Sequence, residues 1–291
     1  MFSKSAVVSL FFLLSLSLLE AKSLLYKVSS ESSTVYILGS IHLAKQELYP
    51  LDKTIRQAYN DSDVLVVELD AESQESARVM QKTMVQLGMY QNGKSLKTEL
   101  TPETYTQLQA YTAKAGVSLQ TLEQMRPWVV TLQLSVMEMM RLGYLPELGI
   151  DKHFIERAKR DKKSILALES IEEQMALLSR DDKAYQDKLL RYTLESMGEM
   201  EPMLNTLFVS WKNGDAQAIE KMFLLSMQDD VNLNEVYEAL ITERNHKMTK
   251  KIEAYLKTDK DYFVVVGAGH VVGKEGIVDL LEKRGYRLSQ K

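Results

Sequence analysis

The sequence predicts an α/β fold in the broad sense (α+β): a small mixed sheet of about six strands carrying a large helical insertion. Three observations predict it. Short apolar runs rich in β-branched residues recur at wide, uneven intervals along the 291 residues. Between them, Leu, Met, Tyr and Ile return at helical spacing with charged residues in the gaps. No long Pro/Gly/Ser run or low-complexity linker divides the chain.

In chain order, the first feature is an address. Lys4 forms a short positive region, residues 5–19 an apolar stretch broken by serines, and Ala21 a small residue where processing would fall. Residues 1–21 therefore read as a secretory signal peptide. The competing reading, an uncleaved anchor, is disfavoured because a spanning helix needs about 20 consecutive apolar residues. The mature chain is then 22–291, with a periplasmic or secreted destination and no membrane span once the signal is removed. Strands are predicted at 24–29 and 34–38, joined by the turn-forming Ser30-Glu31-Ser32-Ser33 into a hairpin, and at 64–69, 164–168, 262–266 and 286–289. The helical insertion covers approximately 72–260 and is interrupted only by the strand near 164–168. Thr101-Pro102-Glu103 gives a cap, a first-turn proline and a first-turn acid in helix-starting order. Asn213-Gly214-Asp215 closes one helix and caps the next. The 15 methionines fall mostly in these segments. They could line a promiscuous apolar groove, but their place on the helical stripe favours gap filling in the core.

Composition narrows the function. A net charge of -4 and no arginine-rich stripe interleaved with aromatics argue against a nucleic-acid partner. The absence of cysteine removes disulfides, thiol catalysis and lipidation at a processed cysteine. His-Glu-X-X-His and Gly-X-Ser-X-Gly are both missing, so neither a zincin helix nor a nucleophile elbow is present. Gly267-Ala268-Gly269 with Gly273 imitates a dinucleotide fingerprint only weakly, because the third glycine is misplaced and too little chain follows for a ribose-binding acid.

Two stretches carry the chemistry. Gly39-Ser40-Ile41-His42 follows the run 35–38, and Gly267-Ala268-Gly269-His270 follows 263–266. Each sets a histidine just past a strand end, beside glycine that permits a tight turn and close approach to a ligand. His153 and His246, the other two of the four histidines, lie in charge-rich helical stretches, where a surface or half-buried side chain without a ligand role is expected. Glu68 and Asp70 end the strand 64–69 on one face, and Glu169 ends 164–168. A carboxylate there needs a cation, a donor or a metal. Ligands collect beyond the carboxyl ends of parallel strands, so these imidazoles and carboxylates can converge into one site suited to a divalent ion. Pairing of Glu68 and Glu169 with Arg126 and Arg244 is an equally open reading, and the two are compatible.

Seven ordered motifs resemble the TraB/GumN family, which includes the TIKI-type metalloproteases and is distantly similar to the ChaN and erythromycin-esterase group. They are Tyr36-Ile37-Leu38-Gly39-Ser40-Ile41-His42 with Tyr49-Pro50; Val66-Val67-Glu68-Leu69-Asp70; Arg126-Pro127-Trp128; Gly149-Ile150-Asp151; Leu168-Glu169-Ser170 with Glu173-Gln174; Arg244-Asn245; and Val265-Val266-Gly267-Ala268-Gly269-His270-Val271-Val272-Gly273. Ser40 and Val271 stand where many members have Thr and Leu. The resemblance implies an exported metal-dependent hydrolase acting on peptides or small proteins. His42, His270, Glu68 and Arg244 would be catalytic. His42, His270, Glu68 and Glu169 would hold a divalent metal (Mn, Co, Zn or Fe), and Arg126, Asn245 and Asp70 would contact substrate. Arg244 or Arg126 would stabilise an oxyanion or orient a carboxylate. The alternatives are a non-catalytic exported binder that sequesters a peptide signal or a haem-like ligand, and a metal-dependent esterase.

Overall fold

Residues 23–70, 73–180, 182–225 and 237–291 are described by the structure, a computed structural model; the signal peptide read at 1–21 lies outside them. The turn at 30–33 is closed by the Ser30 amide donating to the Ser33 carbonyl at 2.9 Å, with the Ser30 hydroxyl accepting from the Ser33 amide at 3.1 Å. It joins β1 (Leu25–Ser29) to β2 (Thr34–Ser40) in antiparallel register, Leu25 opposite Leu38. β3 (Val64–Val67), β4 (Ser164–Ala167), β5 (Tyr262–Gly267) and β6 (Leu288–Gln290) complete one six-stranded sheet in the order β4-β3-β5-β2-β1-β6. All six predicted strands are present, within a few residues of their expected bounds.

β2, β5, β3 and β4 run parallel, with Ser40 paired to Gly267, Val67 to Val265 and Val67 to Ala167. That register decides everything that follows: four strands deliver their carboxyl ends to one edge. β1 and β6 are antiparallel additions on the far side. The central strands are buried on both faces, with Val64–Val67 and Val264–Val266 at 5% exposure or less, as β-branched runs in a covered parallel sheet should be. β4 departs from the expectation of a buried run, since Leu166 is 40% exposed. It is the outermost strand, so one flank has no neighbour.

Between β3 and β5 the described chain is helical apart from β4. Thr101 caps the helix Pro102–Ala115 by accepting from the Thr104 amide. Gly214, at φ 62°, follows the helix Met200–Lys212, and Asp215 accepts from the Ala218 amide in the next helix. The main core lies on the sheet, and two smaller apolar clusters fill the helical part, one around Leu108 and Leu134, the other around Trp128 and Met175. The methionines divide: Met175, Met197 and Met248 are core, whereas Met137, Met140 and Met203 are exposed. Among the described residues no helix is long and apolar enough to cross a membrane.

Candidate active site at the carboxyl edge of the sheet

His42 lies two residues beyond β2, and Glu68 directly follows β3, its amide still donating to the Val265 carbonyl at 3.1 Å. Glu169 follows β4, its amide donating to the Glu68 carbonyl at 3.0 Å, and His270 sits on the short helix Ala268–Val271 after β5. The two Gly-X-X-His stretches are alike in sequence but not in setting. His42 keeps 60% of its side-chain surface in solvent, and His270 keeps 5%.

The tight turn expected of Gly39 and Gly267 is not what selects them, since neither has a positive φ. Space selects them. A methyl group on Gly39 would collide with Leu24 and press on the Ala268 backbone. At Gly267, a Cβ would lie 3.5 Å from Glu68 Oε2, 3.7 Å from His42 Nε2 and 3.5 Å from His270 Cδ2. Glycine thus leaves open the point on which two imidazoles and a carboxylate converge.

Each imidazole is anchored through Nδ1. His42 Nδ1 is 2.9 Å from Asp151 Oδ2, and the other Asp151 oxygen accepts from the Ser40 hydroxyl at 2.8 Å. The Asp151 charge, only partly offset by burial, raises the His42 pKa to about 9. Asp151 opens the helix Ile150–Asp161, which is brought close by Gly149, where any Cβ would strike the His42 carbonyl. His270 Nδ1 is 2.7 Å from Asn245 Oδ1, and the Asn245 amide donates to the Glu275 carbonyl at 2.7 Å. That second bond fixes the amide, so Asn245 accepts, His270 Nδ1 donates, and Nε2 presents a lone pair. Burial lowers the His270 pKa to about 4, against the pull of Glu68, which keeps it neutral at pH 7. Its Nε2 is 3.8 Å from Glu68 Oε2.

Glu68 and Glu169 are each 8% exposed and share one cation. Arg244 donates Nε to Glu169 at 2.9 Å, one terminal nitrogen to both carboxylates, and the other to the Leu240 carbonyl at 2.8 Å. Gln174 bridges the same pair, 2.9 Å from Glu68 and 3.0 Å from Glu169. Burial opposes the Glu68 charge, but His270, Arg244 and His42 outweigh it and hold the carboxyl at about 2.

The predicted residues divide accordingly. His42, Glu68, Glu169, Arg244 and His270 are brought together. Glu169 spends both oxygens on Arg244 and Gln174, so it holds the arginine rather than facing the open point. Arg244, in turn, orients carboxylates; it does not present itself to an oxyanion. Asn245 is fully buried and serves His270, not substrate. Arg126 lies over the Tyr90 ring at 5.7 Å, and Asp70 is half-buried; neither lines the cleft beside His42 and Glu68. His153 packs between Tyr49 and Phe154, and His246 pairs with Glu275 at the surface. Asp151 and Gln174 were assigned no role by the sequence reading, although both lie within its motifs.

His42, Glu68, Asp151 and Gln174 line an open cleft of about 370 Å³. Among the described residues no three His, Asp or Glu side chains already stand at ligating spacing. By residue type the donors are ones a divalent ion accepts: two imidazoles with Nδ1 tied back to a carboxylate and an amide oxygen, beside a carboxylate, around Gly267.

Fold and site together define an α/β protein with an imidazole–carboxylate centre at the carboxyl edge of parallel strands. The chain belongs to the TraB/PrgY/gumN family, whose profile matches residues 24–290. It is similar to the uncharacterized protein YbaP of Escherichia coli, 24% identical over 252 residues that cover 84% of this chain and 87% of that one. An uncharacterized protein of Treponema pallidum is 24% identical, covering 89% of this chain and 80% of its own length. Metalloprotease TIKI1 of Danio rerio is 23% identical over 87% of this chain, which spans only 60% of that relative. No solved structure matches the chain significantly.

Proposed function

We propose that the chain is an exported, metal-dependent hydrolase that cleaves peptide bonds in peptides or small proteins. The observation that carries this reading is the convergence of His42 Nε2, the His270 ring and Glu68 Oε2 on the space above Gly267, with both Nδ1 atoms already anchored. The resemblance to relatives named metalloproteases supports the same chemistry. Export rests on the signal-like residues 1–21.

His42, His270 and Glu68 would hold the metal, whose contribution when bound is Lewis acidity and a water made nucleophilic at neutral pH. The remaining work falls to the chain itself. Asp151 and Asn245 orient the two imidazoles through Nδ1, leaving the Nε2 atoms for a ligand. Arg244 and Gln174 hold Glu68 ionised and aimed through Oε1, leaving Oε2 toward the centre, where it can accept a proton.

The test is metal analysis and cleavage of a peptide panel by the purified chain, beside H42A, H270A and E68Q. Stoichiometric metal and metal-dependent cleavage in the wild type, lost in all three variants, are expected. Full cleavage retained by H42A or E68Q would refute the assignment. Ligand affinity without product, undiminished in these variants, would establish the binder instead, and turnover confined to esters would establish an esterase.

A further inference from the structure

Backbone bonds hold the loop that carries His42 against the start of the helix Ile150–Asp161. The Ile150 amide donates to the Ile41 carbonyl at 3.1 Å, and Ala44 and Leu145 exchange amide-to-carbonyl bonds of 3.1 and 2.8 Å. Gly149 allows the approach, since a Cβ there would lie 2.2 Å from the His42 carbonyl oxygen. These contacts set the Asp151 backbone relative to that of His42. They do not set the rotation of the Asp151 carboxylate.

Two things leave that rotation open. The terminal torsion of an aspartate is broad, so a fixed backbone does not by itself select the carboxylate plane. Asp151 also lies in the first turn of its helix, where amides without intrahelical partners compete for a carboxylate oxygen. One side chain of β2 decides the matter. Ser40, the last residue of β2 and only 2% exposed, donates its hydroxyl to Asp151 Oδ1 at 2.8 Å, and the second oxygen then falls 2.9 Å from His42 Nδ1. Ser40 is itself paired with Gly267 in the parallel register, which ties the hydroxyl to the strand end that borders the centre.

We propose that Ser40 is a positioning residue: its hydroxyl fixes the rotation of the Asp151 carboxylate and, through it, the orientation of the His42 ring. The use of that orientation in holding a metal rests on the metal-site reading above, whereas the orientation itself is tested without metal.

The experiment compares wild type, S40A, S40T, D151A and S40A/D151A, isotope-labelled on the histidine ring nitrogens, at one fixed pH and before metal is added. The ring-nitrogen resonances of His42, His153 and His246 are read first, and zinc affinity is then read by competition with a chelator. S40A should move the His42 resonances and leave those of His153 and His246 in place. S40T, which keeps the hydroxyl, should leave all three as in wild type. Because Ser40 acts through Asp151, S40A should add nothing in the D151A background. Zinc should bind S40A about tenfold more weakly than wild type, the scale seen when a group behind a metal-ligating histidine is lost. His42 resonances unmoved in S40A, or moved as far by S40A when Asp151 is absent, would overturn the proposal; the second result is what a merely structural serine would give. A wild type that takes up no zinc removes the metal-site reading, and the ring resonances still decide the role of Ser40. Stoichiometric zinc at wild-type affinity in S40A, with His42 unmoved, removes the role of Ser40 and leaves the metal site standing.

Discussion

Replacing Arg244 by methionine removes the one cation shared by two buried carboxylates. The guanidinium is 11% exposed and donates to Glu169 at 2.9 and 2.6 Å as well as to Glu68. After the change, Gln174 is the remaining side chain that bridges both Glu68 and Glu169. Breaking a buried pair from one side costs about 3–5 kcal/mol, because the partner charge is left uncompensated. The pH dependence should also change. In the wild type Glu68 sits at about 2, below its unfolded value. Its contribution is complete above the ordinary carboxylate range and is lost only as pH falls toward 2. In R244M the Glu68/His270 pair would take up a proton that the folded wild-type pair, with His270 lowered to about 4, does not bind between pH 5 and 7. The deficit should then shrink as pH falls from 7 to 5, by up to about 1.4 kcal/mol per pH unit for one proton. Denaturant unfolding of both proteins across pH 5–8 reads this directly. A loss below about 1 kcal/mol, or one that stays constant with pH, would refute the shared-cation account.

Gly267→Ala tests the open centre, since the added methyl makes only ordinary contacts at 3.5–3.7 Å. Thermal stability should hold within a few degrees, while metal uptake or cleavage falls more than about tenfold; unchanged activity would show that the space is not used. Asp151→Asn should bring the His42 pKa down from about 9 toward the ordinary imidazole range, followed by NMR titration of the ring. The stability that His42 protonation supplies, present below the ordinary imidazole pKa and lost as pH rises toward 9, should vanish with it. Asn245→Leu leaves the Glu275 carbonyl and His270 Nδ1 without their partner, at about 1–3 kcal/mol of stability. It should also lower activity about 10- to 100-fold, and Asn245→Asp should restore part of the activity by accepting from the same Nδ1; an N245L variant as active as wild type would show that His270 needs no such anchor.

The sheet was legible because strand-forming runs such as 64–67 and 262–267 write their burial into consecutive β-branched residues. Four of the five residues around the centre were legible for a related reason: an ionisable group at the end of an apolar strand has few explanations. Asp151 and Gln174 were not, because each lies in the first turn of an ordinary amphipathic helix, where acids and amides are common.

By itself, then, the sequence determined the elements and which imidazoles and carboxylates end strands. The tertiary structure alone decided that β2, β5, β3 and β4 are parallel and in what order, and so which of those ends meet. It also made the two Gly-X-X-His motifs opposites, one imidazole raised to about 9 by Asp151 and one lowered to about 4 by burial. A local motif fixes where a histidine leaves its strand. Its pKa depends on the charges and on the solvent that long-range packing sets beside it.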